Sequence, residues 1–445
     1  MRHTSHKRAV YLLVVLYVTF LGACEPNDQA GGPRADGAST SSANSFGSGR
    51  TRAYTTSATV DSTENTQKTI EADLLLTGGT LVDGTGKLPL RDSAVAVKDG
   101  KILGVVKAGA LDISEVSRTL DVSGKTILPG FINTHVHSRY VTLEQTKAWT
   151  REGVTTVRDL SGPLDAMVGR KRDSEAGDDP QLPRLLVSGP MISVPGGHPF
   201  PIYGDDYPAL AVRGPNDARD QVNRLLDAGV DHIKIAVSGR VDTGWPELSD
   251  EEIRAITSTA HARGARVAAH IDTAAGLRRA VENGVDDAAH SPRDHIPEDL
   301  IDEMVERDVA LSPTIDVYEN LAEEGGTIAE WNAETLPVMQ DNLRRFARAG
   351  GTLALGDDFG NPGVELGMPM DEMQQWILAG LSPMQVIVAA TRDAAKVSSL
   401  GSEIGTVEKG KAADLLVVNG DPLSDLRSLE RVELVVHDGE LAFSR

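Results

Sequence analysis

The sequence predicts an α/β protein, a (β/α)8 TIM barrel with a small composite β-sandwich domain built from both ends of the chain. In the middle of the chain, eight short apolar segments alternate with helix-like segments, which is typical of parallel strands joined by crossover helices. Two segments rich in short strands and tight turns flank this region. The length of 445 residues suits a large barrel with a smaller module.

The first 23 residues have the features of an export signal. The basic residues Arg2, Lys7 and Arg8 precede an apolar run over 9–21, and small residues follow it. A basic start, a short apolar segment and small residues before a cleavage point are typical of a signal peptide, and the run is short for a spanning helix. The pattern predicts a signal peptide over 1–23.

The sequence Leu-Gly-Ala-Cys24 resembles the end of a bacterial lipoprotein signal, in which the cysteine is acylated and becomes the mature N-terminus. Cys24 is the only cysteine, so no intramolecular disulfide can form. We therefore expect export to the bacterial cell envelope and a lipid anchor on Cys24, at the periplasm or the cell surface. A plain signal peptide or an uncleaved anchor is the alternative. Residues 24–69 contain few large apolar residues and predict a disordered tether.

The β domain is predicted from residues 70–128 and 401–445. Both parts contain short β-type runs, and Asp99-Gly100 and Asp438-Gly439 are strong hairpin signals. Because the two parts have the same pattern and the middle differs, we expect one small domain assembled from both ends.

Residues 129–400 are predicted to form the barrel. The capping box Ser249-Asp-Glu-Glu252 opens a predicted helix over 249–263, and a second helix is predicted over 217–228. The predicted strands are 131–135, 155–158, 185–188, 232–237, 267–270, 287–290, 309–313 and 352–356.

The charge balance limits the classes of partner. The chain has 44 basic and 65 acidic residues, a net charge of -21. Such a chain is unsuited to nucleic acid or to anionic membranes, and a solvated acidic surface is the simplest interpretation. Contact with a membrane is expected through the lipid anchor alone, and homo-oligomerisation stays open.

Residues of metal-ligand type occur at the ends of several predicted strands. His135 and His137 point the same way on a strand, although such a pair alone is weak evidence. In a barrel the functional residues lie at the C-terminal ends of the strands. The other residues of this type at those ends are Lys234, His270, His290 and Asp358. Four imidazoles, a lysine and a carboxylate at one rim predict a metal site.

Residues 72–445 resemble the amidohydrolase superfamily, in the branch of imidazolonepropionase-like enzymes and prolidase-like dipeptidases. The resemblance rests on motifs in a specific order along the chain. They are Leu128-Pro-Gly-Phe-Ile-Asn-Thr-His-Val-His, Gly153-Val-Thr-Thr-Val-Arg-Asp, Ile233-Lys-Ile, Ala268-Ala-His, Ala289-His-Ser, Leu355-Gly-Asp-Asp and Gly405-Thr-Val-Glu-Lys-Gly-Lys-Ala-Ala-Asp-Leu.

The resemblance implies two divalent metal ions. It implies that His135 and His137 bind one ion, that His270 and His290 bind the other, and that a carboxylated Lys234 bridges them. Nitrogen and oxygen ligands favour zinc, while manganese, iron, cobalt or nickel are compatible.

The implied catalytic residues are Asp358 and His290. Asp358 would contact one metal, take a proton from the metal-activated water and pass it to the leaving nitrogen. Two positions depart from the family pattern. The family usually has Thr or Ser where this chain has Asp357, and often Asp where it has Asn133. Alignment assigns the role to Asp358, with Asp357 as its close neighbour.

Four residues near the ligand-bearing strands are candidates for substrate binding. Arg139, Tyr140 and Arg240 follow these strands and could hold a substrate carboxylate, since the planar guanidinium of arginine pairs with both oxygens. His198 follows the third predicted strand on the same rim. The alternative for each is a solvated or packed loop residue.

Together the motifs predict a metal-dependent hydrolase of amide-type C–N bonds. The expected substrate is a small molecule, a dipeptide or N-acyl amino acid with a free carboxylate. A cyclic amide or imidazolone hydrolase, or a deaminase, is the enzymatic alternative. A tethered binding protein on a degenerate barrel is the non-catalytic one.

Overall fold

The computed structural model describes residues 70–108, 113–204, 206–239, 244–323 and 327–445. The predicted signal peptide over 1–23, Cys24, the predicted tether over 24–69 and Arg240 lie outside these residues. None of the helices within the described ranges combines the length and the apolar character needed to cross a bilayer.

The elements alternate as the sequence predicts. The strands are β1 (Ile70–Leu81), β2 (Leu90–Lys98), β3 (Lys101–Lys107), β4 (Ile113–Asp121), β5 (Thr126–Pro129), β6 (Phe131–Val136), β7 (Val154–Asp159), β8 (Arg184–Val187), β9 (Met191–Ser193), β10 (Ala209–Ala211), β11 (Ile233–Ala236), β12 (Val267–His270), β13 (Asp287–Ala289), β14 (Ala310–Ser312), β15 (Leu415–Val418), β16 (Val432–His437) and β17 (Glu440–Ser444). The helices are α1 (Leu143–Arg151), α2 (Leu164–Glu175), α3 (Phe200–Tyr203), α4 (Pro215–Ala228), α5 (Asp250–Ala262), α6 (Ala274–Glu282), α7 (Glu298–Glu306), α8 (Ile315–Glu323), α9 (Thr327–Arg348), α10 (Met370–Leu378), α11 (Pro383–Val388) and α12 (Ala394–Val397).

Strands from both ends of the chain form one eight-stranded sheet, in the order β17-β16-β15-β5-β1-β2-β3 with β4 paired to β1. The long strand β1 pairs with β4 along its first part and with β5 near its end. Leu76 of β1, Val95 of β2, Leu415 of β15 and Val436 of β16 are buried in one core cluster. The two ends of the chain therefore share one hydrophobic core.

The middle of the chain forms two parallel sheets, β6-β7-β8 and β10-β9-β11-β12-β13-β14. The residues of β6, β7 and β11 are all buried, as is usual for parallel strands covered by helices. The helix predicted over 249–263 is α5, and Ser249 and Glu252 form the predicted capping box. The predicted fold class is confirmed.

The eighth predicted strand is not a regular strand, but it joins the two sheets. Within residues 352–359, Ala354 donates its backbone N–H to Leu311 O, and Asp358 donates to His135 O. A side chain at Gly356 would lie 2.7 Å from the Cβ of His135, so only glycine allows this close approach to β6. On the opposite side, Asp231 N donates to Val187 O between β8 and β11.

Candidate metal centre

The strand ends bring the predicted ligands to one pocket. His135 is in β6, Lys234 in β11 and His270 in β12, while His290 directly follows β13 and Asp358 is in the 352–359 segment. The pocket lining includes His135, His137, Arg139, Tyr140, His198, Lys234, His270, His290 and Asp358.

His135, His137 and Asp358 form the tightest group. Oδ1 of Asp358 lies 3.1 Å from Nε2 of His135 and 2.9 Å from Nε2 of His137. One ligand atom from each residue lies within 4.8 Å of the others, a spacing that allows all three to bind one ion.

The imidazoles of His290, His270 and His198 lie next to this group, each ring close to the one before it. The ring centroid of His290 is 4.8 Å from that of His135 and 4.5 Å from that of His270. The ring of His198 is stacked on His270, with centroids 3.9 Å apart and an interplanar angle of 10°. His198 therefore lies against a predicted ligand rather than at the outer rim.

Three residues at this rim have a strained backbone conformation that helps to set the direction of their side chains. His290, Thr314 and Asp358 have φ angles of +152°, +50° and +56°, which are uncommon for residues with a side chain. Nδ1 of His290 lies 2.7 Å from Oγ1 of Thr314. That contact orients the ring and leaves Nε2 available as a ligand atom.

Lys234 is an unusual residue for the interior of a barrel. It lies between Ile233 and Ile235 in β11 and is fully buried, and within the described part of the chain its Nζ has no hydrogen-bond partner. Burial lowers the pKa of Lys234 to about 7, because an ammonium ion is poorly solvated there, although Asp358 favours the charged form. The neutral amine is therefore accessible at neutral pH.

The imidazoles are suited to bind a cation. Burial lowers the pKa of His135 to about 4 and that of His270 and His290 well below the usual value. These rings are neutral at neutral pH, and a neutral ring nitrogen has the lone pair that a metal requires.

Asp358 is the ionised member of the group. Burial opposes its ionisation, but the imidazoles of His135 and His137 hold the pKa of Asp358 well below its usual range. A carboxylate at this position adds an anionic ligand to the neutral rings.

Asp357 is occupied elsewhere. Its Oδ1 accepts a hydrogen bond of 2.7 Å from Nδ2 of Asn133 and one of 3.0 Å from Phe359 N. Burial raises the pKa of Asp357 to about 7. The two positions that depart from the family pattern are therefore hydrogen-bonded to each other, and Asp357 is not among the residues that line the pocket.

The donor set fits a pair of divalent ions. Four imidazoles and a carboxylate are ligands that zinc and related metals bind. The buried, unpartnered Nζ of Lys234 fits a carbamate, which has two anionic oxygens where an ammonium ion would repel a cation. The residues present therefore fit the metal centre that the resemblance implies.

Among the described residues, two arginines border the pocket, Arg139 and Arg293, and sequence reasoning found only Arg139. The guanidinium of Arg139 lies over the rings of Tyr140 and Tyr207, at 4.4 and 4.5 Å from their centroids. Arg293 follows β13, packs over the ring of Tyr318 at 4.5 Å, and its Nε lies 2.7 Å from Oδ1 of Asp272. The signal for Arg293 was its place three residues after His290 at the C-terminal end of a strand.

Residues 126–442 match the model of the amidohydrolase family. The chain belongs to this family. Ochratoxinase from Aspergillus niger is 24% identical to it over 419 residues, which cover 82% of this chain and 84% of that protein.

Solved structures extend the similarity to the fold. A Xaa-Pro dipeptidase with bound methionine in its active site superposes with a TM-score of 0.74 and 26% identity, over 84% of this chain and 100% of that one. A putative prolidase from Bifidobacterium longum superposes with a TM-score of 0.74 and 30% identity, over 84% of this chain and 95% of that one.

The amidohydrolase is therefore a metal-dependent hydrolase that acts on C–N bonds of small molecules. This confirms the reaction class predicted from the sequence motifs.

Proposed function

We propose that this amidohydrolase cleaves the amide bond of a dipeptide or N-acyl amino acid that has a free carboxylate. The observation that carries the proposal is the convergence of four imidazoles, Asp358 and an unpartnered buried lysine on one pocket that also contains the cation Arg139. The similarity to a Xaa-Pro dipeptidase and a putative prolidase supports a peptide-like substrate.

The proposed centre holds two divalent ions, and we favour zinc. His135 and His137 would hold one ion, His270 and His290 the other, and Lys234 would bridge them as a carbamate. The neutral amine of Lys234 attacks carbon dioxide and loses a proton, which gives the carbamate. When bound, the metals activate water as the nucleophile and polarise the scissile carbonyl.

Residues of the chain itself would transfer the proton and contact the reacting groups. Asp358 is ionised and lies beside both His135 and His137, so it can accept a proton from the attacking water. The same carboxyl group can then donate that proton to the leaving nitrogen. His290, whose Nδ1 lies 2.7 Å from Oγ1 of Thr314, would contact the reacting groups as well as a metal.

Residues of the pocket wall, above all Arg139 and His198, would orient the substrate. Arg139 is half-buried, and its Nη1 and Nη2 are fixed by Ser161 O at 2.5 Å and by the Tyr140 hydroxyl at 2.7 Å. A fixed guanidinium is a suitable partner for a carboxylate. His198 would contact the substrate from its place on the ring of His270. Arg240, also a candidate, lies outside the described residues.

The test is hydrolysis of a panel of dipeptides and N-acyl amino acids by the metal-loaded full chain. Asp358→Asn should lower kcat by about 100-fold or more, because the amide cannot exchange a proton. The exposed acid Glu282 provides a matched control, and Glu282→Gln should retain activity. Cleavage of imidazolones or cyclic amides alone would replace the proposed substrate, and binding without turnover of any amide would favour a non-catalytic protein.

A further inference from the structure

Large apolar side chains are exposed mainly at the mouth of the catalytic pocket. In the described part of the chain, five such side chains are exposed: Leu88, Tyr140, Ile202, Tyr203 and Leu378. Three of them, at 52%, 39% and 47% exposure, line the pocket: Tyr140, Ile202 and Tyr203. Exposed apolar groups that gather at a pocket indicate a binding surface for an apolar group.

These side chains contribute little to the hydrophobic core. Ile202 and Tyr203 belong to α3, a single turn of four residues in which none is buried. Because these side chains are exposed, they stabilise the fold little by burial, and their grouping at one pocket is the informative feature.

The apolar surface is continuous with the cation of the pocket. Arg139 is sandwiched between the rings of Tyr140 and Tyr207, and the ring of Tyr203 is stacked on Tyr207 with centroids 4.9 Å apart. The order Tyr140, Arg139, Tyr207, Tyr203 forms one stack along the wall. A carboxylate on Arg139 and an apolar group on Tyr203 would therefore lie on the same wall of the pocket, on either side of Tyr207.

Arg139 and Arg293, the arginines that line the pocket in the described part of the chain, differ in how their charge is balanced. Arg293 is paired with the buried carboxylate of Asp272. Among the described residues, no carboxylate oxygen lies within 4.0 Å of the Arg139 guanidinium nitrogens, and its hydrogen-bond partners are neutral. Arg139 is thus the guanidinium whose charge a substrate carboxylate would balance.

We infer that the substrate is an amide of a bulky apolar α-amino acid, above all an aromatic one, with its α-carboxylate free. The carboxylate pairs with Arg139, and the side chain of the same amino acid packs on Ile202 and Tyr203. A bulky side chain on the carbon atom that bears the carboxylate is long enough to extend past Tyr207 to Tyr203 while the carboxylate pairs with Arg139. The inference rests on the proposed function, since it names the half of the substrate that leaves as the amine.

The reaction consumes one water molecule. The C–N bond breaks, the hydroxyl group joins the acyl carbon, and the nitrogen gains the proton, so that a carboxylic acid and the free amino acid are formed. The released amino acid occupies the stack, which makes that amino acid a direct probe of the subsite without any turnover.

The experiment is calorimetric binding to the metal-loaded full chain, with L-phenylalanine, L-alanine and L-phenylalaninamide as probes. We expect phenylalanine to bind about tenfold or more tighter than alanine, because its ring is buried on the apolar surface. We also expect it to bind about tenfold or more tighter than L-phenylalaninamide, because the amide lacks the carboxylate. Tyr203→Ala should remove the preference over alanine, and Tyr203→Phe should restore it. Arg139→Gln should remove the preference over the amide.

Leu378→Ala is the matched control, since Leu378 is an exposed apolar residue outside the pocket lining. It should leave all three affinities unchanged. Equal binding of phenylalanine and alanine, or no binding of phenylalanine, would overturn the inference. Selective binding of phenylalanine without hydrolysis of any amide would instead overturn the proposed function and leave the subsite standing.

Discussion

At the scale of single residues, the contact between Asn133 and Asp357 explains how two neighbouring aspartates have different roles. Asp358 is ionised beside two imidazoles, whereas Asp357 is buried against an amide donor. The backbone differs at the two residues as well, because of the pair only Asp358 has a left-handed φ, at +56°. Residue type alone therefore does not distinguish the roles of Asp357 and Asp358. The hydrogen-bond partners of each carboxyl group do distinguish them.

The first prediction concerns this contact. Asn133→Asp replaces the amide donor with a second carboxyl group at 2.7 Å from Asp357 Oδ1 in a fully buried position. The lost hydrogen bond and the extra buried acid should lower the free energy of unfolding by about 2–4 kcal/mol. Urea unfolding of the metal-free wild type and of the metal-free variant measures this difference in the free energy of unfolding.

The reciprocal change is the control for that prediction. The double variant Asn133→Asp, Asp357→Asn restores one amide and one carboxyl group to the pair, so it should regain part of the lost stability. If the effects of the two single substitutions simply add, the contact between Asn133 and Asp357 does not have the role given to it here.

Sequence reasoning reached the candidate ligands that converge on the pocket but missed half of the pocket wall. These candidate ligands could be predicted because strand ends share one rim in a barrel, so spacing along the chain was sufficient. Tyr203, Tyr207 and Tyr318 were missed because they are on loops and short helices whose path is set by packing rather than by periodicity. Arg139 was found because it lies two residues after a ligand.

At the scale of elements, helix α10 docks on α8 through buried acids. Glu372 of α10 accepts hydrogen bonds of 2.8 Å from Asp316 N and 2.7 Å from Nε1 of Trp376. Burial raises the pKa of Glu372 to about 7 and that of Asp316 well above its usual value. One or both carboxyl groups therefore hold a proton at mildly acidic pH.

The second prediction is a pH dependence of stability. The pKa of Glu372 is raised in the folded state, so the folded state holds a proton that the unfolded chain has lost above its pKa of about 4.3. The stabilisation is complete below that pH and is lost as the pH rises through about 7. Wild-type protein should therefore lose stability between about pH 5 and about pH 7.

Glu372→Gln tests the assignment, because glutamine mimics the protonated acid and cannot ionise. Its unfolding free energy should fall less over the same pH range, by about 1–3 kcal/mol. Glu282→Gln, an exposed substitution, should follow the wild type. A wild-type pH profile in Glu372→Gln would assign the titration to other groups.

The elements were predictable where a periodic pattern was present, as in β6, β12 and the capped helix α5. Residues 352–356 were predicted as a strand, yet the 352–359 segment that contains them is irregular. Its apolar residues follow the strand pattern, but Gly356 and the left-handed Asp358 turn the backbone toward β6. Such local turns depend on close contacts between segments far apart in sequence, which a pattern does not contain.

At the scale of the whole molecule, the eight-stranded sheet and the two parallel sheets form one body, and His135, Lys234 and His270 of the candidate metal centre lie on its parallel strands. Arg184 of β8 links them through ion pairs of 2.8 Å to Asp414 and 2.5 Å to Asp438. Sites built on strands hold their ligands more rigidly than sites on loops. The pairing of the two chain ends was predictable from their shared β pattern, whereas the branching at β1 was not.

The central claim for the molecule is that Lys234 completes a two-metal centre. Its buried Nζ has no hydrogen-bond partner among the described residues, and the proposed carbamate would account for its position. The most direct test is elemental analysis of the metal content of the full chain, purified without chelator, for wild type and Lys234→Ala. Lys396→Ala, which removes a lysine exposed at the surface, is the control.

We predict about two metal ions per wild-type chain and about one or fewer in Lys234→Ala, since the bridging ligand is lost. Lys396→Ala should match the wild type. One ion per chain in both the wild type and Lys234→Ala, in folded protein, would contradict the two-metal centre.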